Sequence, residues 1–227
     1  MEEFFIGIDD AGRGPVIGPM VLAGIFIKKE DIKDLKILGV KDSKLIAPKK
    51  RNQIFNELIS KYSHHFELCS PEEIDNFPNL NHLEAIKVGI IINKFLEEMK
   101  KKKIKTDDVK IIVDCPSINT RSWRDYLLNT LNDKKVKLLC EHKADFNYPV
   151  VGAASIIAKE NREKEVEILK KKIGDFGSGY PSDPKTIEFL KNNLELLSKG
   201  KFLREKWGTV KNLEQKKSEK TEQKSLF

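Results

Sequence analysis

The chain has 227 residues, of which 39% are hydrophobic and 34% are charged. This length allows one sizeable core with a small appended subdomain, and the composition excludes a membrane protein and a wholly disordered protein. The net charge of +7 favours a polyanionic partner, such as a nucleic acid, without identifying one.

The apolar pattern predicts five strands and several helices. In chain order, the strands are residues 4–9, 20–27, 66–69, 110–114 and 136–140. The helices are residues 47–61, 81–99, 123–131, 150–173 and 184–197, with a further helical segment around Trp207. The helix at 81–99 is predicted from the spacing of Leu83, Ile86, Ile90 and Phe95. Strands followed by helical crossovers predict an α/β fold.

Three segments are predicted from this order of elements. Residues 1–180 form the main domain, and residues 181–211 form a C-terminal helical extension. Residues 212–227 are almost without apolar side chains until Leu226 and Phe227, so they cannot bury enough surface to offset the entropy of ordering. We therefore predict a disordered tail over 212–227.

The cysteines and the N-terminus bear on the compartment. Cys69, Cys115 and Cys140 are odd in number and widely separated, which predicts neither a disulfide framework nor a structural zinc site. The acidic start, Met1-Glu2-Glu3, is unlike the basic and then apolar start of a signal peptide. These features together predict a reducing, cytoplasmic setting.

Acidic residues stand at the ends of three predicted strands. Asp9 and Asp10 end the first strand, Asp114 ends the fourth, and Asp145 follows the fifth. Two acids in a turn are commonly just a solvated turn, but strand ends on a shared sheet edge converge. Clustered carboxylates raise each other's pKa unless divalent cations neutralise them. The pattern predicts a magnesium site.

Six motifs in this order resemble those of archaeal type 2 ribonucleases H. They are GIDDAGRGPVIGP (7–19), KDSK (41–44), the VD strand end at Asp114, HKAD (142–145), YPVVGAASIIAK (148–159) and GSGYPSDP (177–184). The resemblance covers most of residues 4–193. It implies a ribonuclease H-like five-stranded mixed sheet flanked by helices, with a C-terminal helical extension.

The same resemblance implies a metal-dependent endonuclease whose catalytic and metal-binding residues are Asp9, Asp10, Asp114 and Asp145, with Mg²⁺ or Mn²⁺ as cofactor. It implies cleavage of the RNA strand of RNA/DNA hybrids, and cutting 5′ of ribonucleotides embedded in duplex DNA. Members of the family usually have glutamate where this chain has Asp10. The side chain is shorter by one methylene, which changes the metal geometry or requires a bridging water.

Substrate-binding residues are also implied. Gly12, Arg13 and Gly14 resemble the loop that reads the ribose 2′-hydroxyl, and Tyr180 resembles the tyrosine that packs on the sugar at the RNA to DNA junction. Without the resemblance, Tyr180 is interpreted as an ordinary partly buried loop residue. Lys44 and Lys143 are predicted to contact phosphates.

Some alternatives stay open at this point. Ser155 and Lys159 on the long helix either support the site or only pack and solvate that helix. Another metal-dependent nuclease of the same fold is the rival enzyme, and the Gly-Arg-Gly turn and the GSGYP loop argue against it. A catalytically weakened nucleic-acid-binding protein is the third hypothesis, and only Asp10 favours it. We expect a monomer.

The C-terminus resembles the start of a sliding-clamp-binding peptide. Such peptides place a glutamine and an aliphatic anchor before aromatic residues, and Gln223, Leu226 and Phe227 follow that spacing. The chain ends before the usual final aromatic pair. A partial clamp-binding motif and a tail end without function are both compatible with this sequence.

Overall fold

The computed structural model describes residues 3–40 and 46–215, and its strands form one mixed sheet. The five strands are β1 Phe4–Ala11, β2 Met20–Lys28, β3 Ser63–Cys69, β4 Val109–Asp114 and β5 Lys137–Glu141. Their order is β3-β2-β1-β4-β5. Strand β1 pairs antiparallel with β2 and parallel with β4, and β4 pairs parallel with β5. The predicted α/β class with a mixed five-stranded sheet is confirmed.

Helices account for most of the remaining chain. They are α1 Ile32–Leu38, α2 Pro48–Lys61, α3 Pro71–Asn76, α4 Leu80–Lys101, α5 Thr120–Thr130, α6 Ala144–Asn147, α7 Pro149–Ile173 and α8 Pro184–Lys199, and another helix begins at residue 208 and continues to 215. The sequence pattern did not predict α1, α3 or α6. The apolar face of α4 also differs from the prediction, because Ile90 is exposed whereas Val88, Ile91 and Phe95 are buried.

The chain divides into two compact units. The first, here the sheet unit, comprises Met1–Ala11, Val21–Leu68 and Asn79–Arg162. Its core includes Ile25 of β2, Ile112 of β4 and Val151 of α7. The approach of α7 to β1 requires glycine at position 7, because a Cβ atom there would lie 2.3 Å from the carbonyl oxygen of Val150. This contact fixes the start of α7 on the strand that carries Asp9.

The second unit, here the C-terminal unit, comprises Gly12–Met20, Cys69–Pro78 and Glu163–Phe227. It has its own apolar cluster, which includes Val16, Phe176, Leu190 and Val210. Both units are therefore assembled from separate stretches of the chain, whereas the predicted segments were contiguous. The predicted boundary at residue 180 stays a prediction.

The helix that begins at residue 208 changes the expectation for the tail. Val210 is fully buried in the apolar cluster of the C-terminal unit, and Leu213 packs against the same cluster. These two contacts order residues 212–215 as helix, although the tail was predicted to start at 212. The rest of the predicted tail, residues 216–227, lies outside the described residues.

The three cysteines of the described part of the chain, Cys69, Cys115 and Cys140, are buried and free. Among residues 3–40 and 46–215, the structure contains no helix with the length and apolar character needed to cross a bilayer.

Candidate functional site

The first predicted pair of acids lies at the end of β1. Asp9 is buried, with 6% of its surface exposed, and Asp10 is half-buried. Neighbouring side chains of a strand point to opposite faces of the sheet, which accounts for the different burial of these two residues. The amide N–H of Asp10 donates to Oδ1 of Asp9 at 2.8 Å, which fixes the orientation of the Asp9 carboxylate.

Asp114 occupies the equivalent end of the neighbouring parallel strand. It is the last residue of β4, which pairs with β1 through Ile8 and Val113. Its Oδ1 accepts a hydrogen bond from the amide of Ala144 at 2.8 Å. This bond connects the end of β4 to α6, in which Asp145 directly follows Ala144. Asp145 itself is half-buried in α6.

The electrostatics of Asp9 show that these acids are crowded. Burial raises the pKa of Asp9 well above its ordinary value of 3.8, and the negative charges of Asp10 and Asp114 raise it further. Hydrogen bonds from the Ser155 hydroxyl and the Asp10 amide oppose that shift. Ser155, whose role was open from sequence, therefore supports the site, because its hydroxyl stabilises the charged form of Asp9.

One small cavity brings three of the predicted acids together. Its lining includes Asp9, Asp10 and Asp114, together with the apolar side chains of Ile8, Leu22, Val88, Val113 and others. Asp145 does not line this cavity. The structure thus groups the acids of β1 and β4, and it connects Asp145 to them through the hydrogen bond between Ala144 and Asp114.

A carboxylate that the sequence reasoning missed lines the same cavity. Glu84, in the first turns of α4, is only 1% exposed and shares the cavity with Asp9, Asp10 and Asp114. A sequence signal for it exists, because Glu84, Val88, Ile91 and Phe95 recur at helical spacing and occupy one face. A charged residue on an otherwise apolar helix face indicates a site where the buried charge has a partner.

The donor set of this cavity fits a hard divalent cation. Carboxylate oxygens are the ligands that Mg²⁺ and Mn²⁺ prefer, and a bound cation would relieve the repulsion that raises the pKa of Asp9. Within residues 3–40 and 46–215, however, the structure contains no group of three His, Cys, Asp or Glu side chains close enough together to hold an ion. The residues fit the cation in chemistry, and the ligand geometry stays a proposal.

The predicted ribose-reading loop and Tyr180 lie together inside the C-terminal unit. Gly12 has φ of 87°, in the left-handed region that favours glycine. A Cβ atom on Gly14 would lie 3.2 Å from the Tyr180 ring, so the loop and the ring are in close contact. The amide of Val16 also donates to the carbonyl oxygen of Gly179 at 2.8 Å. This unit therefore pairs two of the predicted substrate-binding features.

Hydrogen bonds from buried and partly buried side chains hold the GSGYPSDP segment. The hydroxyl of Thr186, which is fully buried, donates to the carbonyl oxygen of Phe176 at 2.8 Å and accepts from the amide of Gly179 at 3.0 Å. The carboxylate of Asp183 accepts from the amide of Ser178 at 2.7 Å, and such bonds lower the pKa of Asp183 to about 2. These hydrogen bonds hold the backbone on both sides of Tyr180.

The remaining predicted site residues are the two lysines and the C-terminal anchors. Lys143 is exposed and has φ of 57°, immediately before α6 and Asp145. Lys44 lies outside the described residues, and so do Gln223, Leu226 and Phe227.

Comparison with known proteins places this arrangement in a family. The family model described as Ribonuclease HII matches residues 6–210. A protein named ribonuclease HII from Methanococcus maripaludis strain C5 is 40% identical over 216 residues, which cover 93% of this chain and 87% of that protein.

Two solved structures are similar over nearly the whole chain. The ribonuclease H2 from Pyrococcus horikoshii OT3 has 37% identity and a TM-score of 0.79, with 94% of this chain and 98% of that chain covered. The ribonuclease HII from Archaeoglobus fulgidus, solved in a complex with PCNA, has 36% identity and a TM-score of 0.69, with 90% and 95% covered.

Proposed function

The chain belongs to the ribonuclease HII family and is a ribonuclease H, and from this premise we propose the reaction in detail. The protein cleaves the RNA strand of RNA/DNA hybrids and cuts 5′ of ribonucleotides embedded in duplex DNA, leaving a 3′-hydroxyl and a 5′-phosphate. The observation that carries this proposal is the crowding of Asp9, Asp10 and Asp114 around one cavity at the edge of the sheet.

The acidic residues hold the metal in this proposal. Asp9, Asp10, Asp114 and Asp145 would bind Mg²⁺ or Mn²⁺, and two such ions, when bound, activate the attacking water and stabilise the leaving 3′ oxygen. The protein's part is to keep the carboxylates oriented. The amides of Asp10 and Ala144 do so for Asp9 and Asp114, respectively, and the Ser155 hydroxyl keeps Asp9 ready to bind as the carboxylate.

Substrate selection runs through the ribose. The backbone of Gly12, Arg13 and Gly14 hydrogen-bonds the 2′-hydroxyl, which is the group that distinguishes RNA from DNA. Tyr180, in contact with Gly14, packs on the sugar at the RNA to DNA junction. Lys143 and Lys44 contact phosphates. The biological role that follows is removal of misincorporated ribonucleotides or primer remnants during DNA replication and repair, by a monomer in the cytoplasm.

A duplex with one ribonucleotide tests this proposal most directly. We expect a single cut on the 5′ side of that ribonucleotide in Mg²⁺ or Mn²⁺, and no cut in EDTA. The all-DNA duplex should react at least about 10⁴-fold more slowly, because a site built to bind a hydroxyl leaves its polar groups unpaired when the hydroxyl is missing. End-labelled strands on a denaturing gel give both the position and the rate.

The control and the rival function are tested in the same assay. Enzymatic religation of the nicked strand requires a 3′-hydroxyl next to a 5′-phosphate, so successful religation verifies both ends. Equal cutting of both duplexes would exclude recognition through the ribose. Tight binding without any cutting in either metal would instead favour the catalytically weakened binding protein.

The tail is proposed to bind a sliding clamp, supported by the structure of the A. fulgidus relative in a complex with PCNA. We expect the intact chain to bind the clamp, and the double variant Leu226→Ala, Phe227→Ala to bind at least about tenfold more weakly, because it loses two apolar anchors. Calorimetry measures both affinities. Lys224→Ala, between the anchors and Gln223, is the control and should bind like the intact chain. Equal binding by the double variant would leave the tail without this role.

A further inference from the structure

Arg204 is the largest fully buried side chain of the described residues, although arginine is almost never fully buried. It lies in the C-terminal unit, 24 residues after Tyr180. Its exposed fraction is 0%, and the guanidinium packs over the ring of Trp207, with 5.3 Å between Cζ and the ring centroid. Burying a charged group is costly unless its donors are satisfied, so the contacts of this side chain indicate its role.

The guanidinium donates to carbonyl oxygens of the predicted ribose-reading loop. Nη2 donates to Gly12 at 2.7 Å and to Gly18 at 3.1 Å, and Nη1 donates to Arg13 at 2.8 Å. Nε also lies 3.3 Å from the carbonyl oxygen of Gly18. One planar group with several fixed donors thus holds three carbonyl groups of one loop, which a lysine ammonium has no geometry to do.

The backbone around Arg204 is itself fixed to this loop. Leu203 and Ile17 form an antiparallel bridge. The amide of Arg204 donates to the carbonyl oxygen of Val16 at 2.9 Å, and the amide of Gly18 donates to the carbonyl oxygen of Phe202 at 3.0 Å. The side chain therefore starts from a defined position, so its contacts to the loop are not those of a mobile surface residue.

Holding these carbonyl groups also orients amide groups. The described peptide bonds are all trans, and in a trans peptide the C=O of one residue and the N–H of the next point in opposite directions. Because the carbonyl groups of Gly12 and Arg13 point at Arg204, the N–H groups of Arg13 and Gly14 point away from it. These two amides belong to the loop that the proposed function assigns to the ribose.

We propose that Arg204 is a positioning residue for ribose recognition: it holds the Gly12–Gly14 backbone so that the amides of Arg13 and Gly14 are presented to the 2′-hydroxyl of the substrate. This inference rests on the proposed function and deepens it. Arg204 does not touch the substrate. It determines specificity through the loop, and the charge of its guanidinium strengthens the bonds that hold the loop.

The test is the binding preference for a ribonucleotide, measured by fluorescence anisotropy in excess EDTA so that cutting does not interfere. Wild-type protein should bind a duplex with one ribonucleotide more tightly than the all-DNA duplex. Arg204→Met should lose about tenfold in affinity for the ribonucleotide duplex, as expected for misplaced hydrogen-bond donors, and stay within about twofold for the all-DNA duplex. Arg204→Lys, which keeps the charge without the planar fork, should lose preference in the same direction and is the variant to use if Arg204→Met does not fold.

Val210→Ala is the matched control, because Val210 is fully buried in the same unit and its aliphatic side chain has no group that can donate a hydrogen bond to the loop carbonyls. It should lower Tm and leave the preference unchanged.

If wild type prefers the ribonucleotide duplex and both Arg204 variants keep that preference, the positioning role is overturned while the proposed function stands. If wild type shows no preference, recognition through the 2′-hydroxyl fails, and the role of Arg204 fails with it. A loss of preference in Val210→Ala equal to that in Arg204→Met would show that Arg204 is only structural.

Discussion

Replacing Asp9 by asparagine is expected to abolish cleavage and, at the same time, to stabilise the metal-free protein. The loss in kcat should be at least about a thousandfold, because a missing metal ligand removes several kcal/mol of transition-state stabilisation and each tenfold in rate is about 1.4 kcal/mol. The gain in stability follows from the position of Asp9, a buried carboxylate beside Asp10 and Asp114. Asparagine keeps its shape and removes its charge.

The pH dependence of that gain has a definite sign. The pKa of Asp9 is raised in the folded protein above its ordinary value of 3.8, so the folded state binds the proton more tightly than the unfolded state does. Stability from this group is fully present below pH 3.8 and is lost as the pH rises through the folded-state pKa. In EDTA, Asp9→Asn should therefore have a higher Tm than wild type at pH 8, and the difference should shrink as the pH falls toward 4.

Calorimetric melting and a cleavage assay separate this prediction from a structural role. Asp114→Asn should lose activity similarly, whereas Asp125→Asn, an exposed acid on α5, is the control and should change neither quantity. Mg²⁺ should raise the Tm of wild type and of the control, and should have little effect on Asp9→Asn. A clearly lowered Tm for Asp9→Asn in EDTA at pH 8 would show that Asp9 stabilises the fold rather than holding a cation.

The positions of the strand-end acids were predictable, because they depend on local pattern and sheet geometry. Apolar runs that end in aspartate identified Asp9 and Asp114, and the parallel pairing of β1 with β4 places both at one sheet edge. Glu84 was not predicted, because its signal is visible only against the helix face of Val88, Ile91 and Phe95, whereas the predicted apolar face ran through Ile86 and Ile90. In the structure the face of Val88 and Phe95 is the buried one.

The missed parts of the fold have different physical reasons. Helix α3 has a start signal, since Ser70 accepts a hydrogen bond from the amide of Glu73 at 3.1 Å and Pro71 occupies the first turn, but it is too short for a periodic pattern. Helix α1 is rich in charge and buries only Leu35. The assembly of the C-terminal unit from three separate stretches was also not predictable, because sequence pattern reports on neighbours in the chain. Arg204 belongs to this class, since its partners are about 190 positions away in the sequence.

The second large effect is expected when Asp10 is replaced. Asp10 is half-buried at the end of β1, and it is the largest charged contributor to the raised pKa of Asp9. Its carboxylate reaches about 1.5 Å less far than that of a glutamate, the residue that the sequence resemblance implies at this position, and this distance equals one carbon–carbon bond. If it holds metal despite this, Asp10→Asn should lose at least about a hundredfold in kcat, since one charged ligand is removed from the transition state.

The conservative replacement gives the opposite result for a physical reason. Asp10→Glu keeps the charge and restores the longer reach, so it should retain or improve activity and reach half-maximal activity at an equal or lower Mg²⁺ concentration. Titrating both variants and wild type with Mg²⁺ and then with Mn²⁺ measures this, with Asp125→Asn as the control for an acid outside the site. Because removing the Asp10 charge also lowers the pKa of Asp9, Asp10→Asn should melt at a higher temperature than wild type in EDTA. Wild-type activity in Asp10→Asn would show that the second acidic position is dispensable in this chain, and the metal would then be held by Asp9, Asp114 and Asp145.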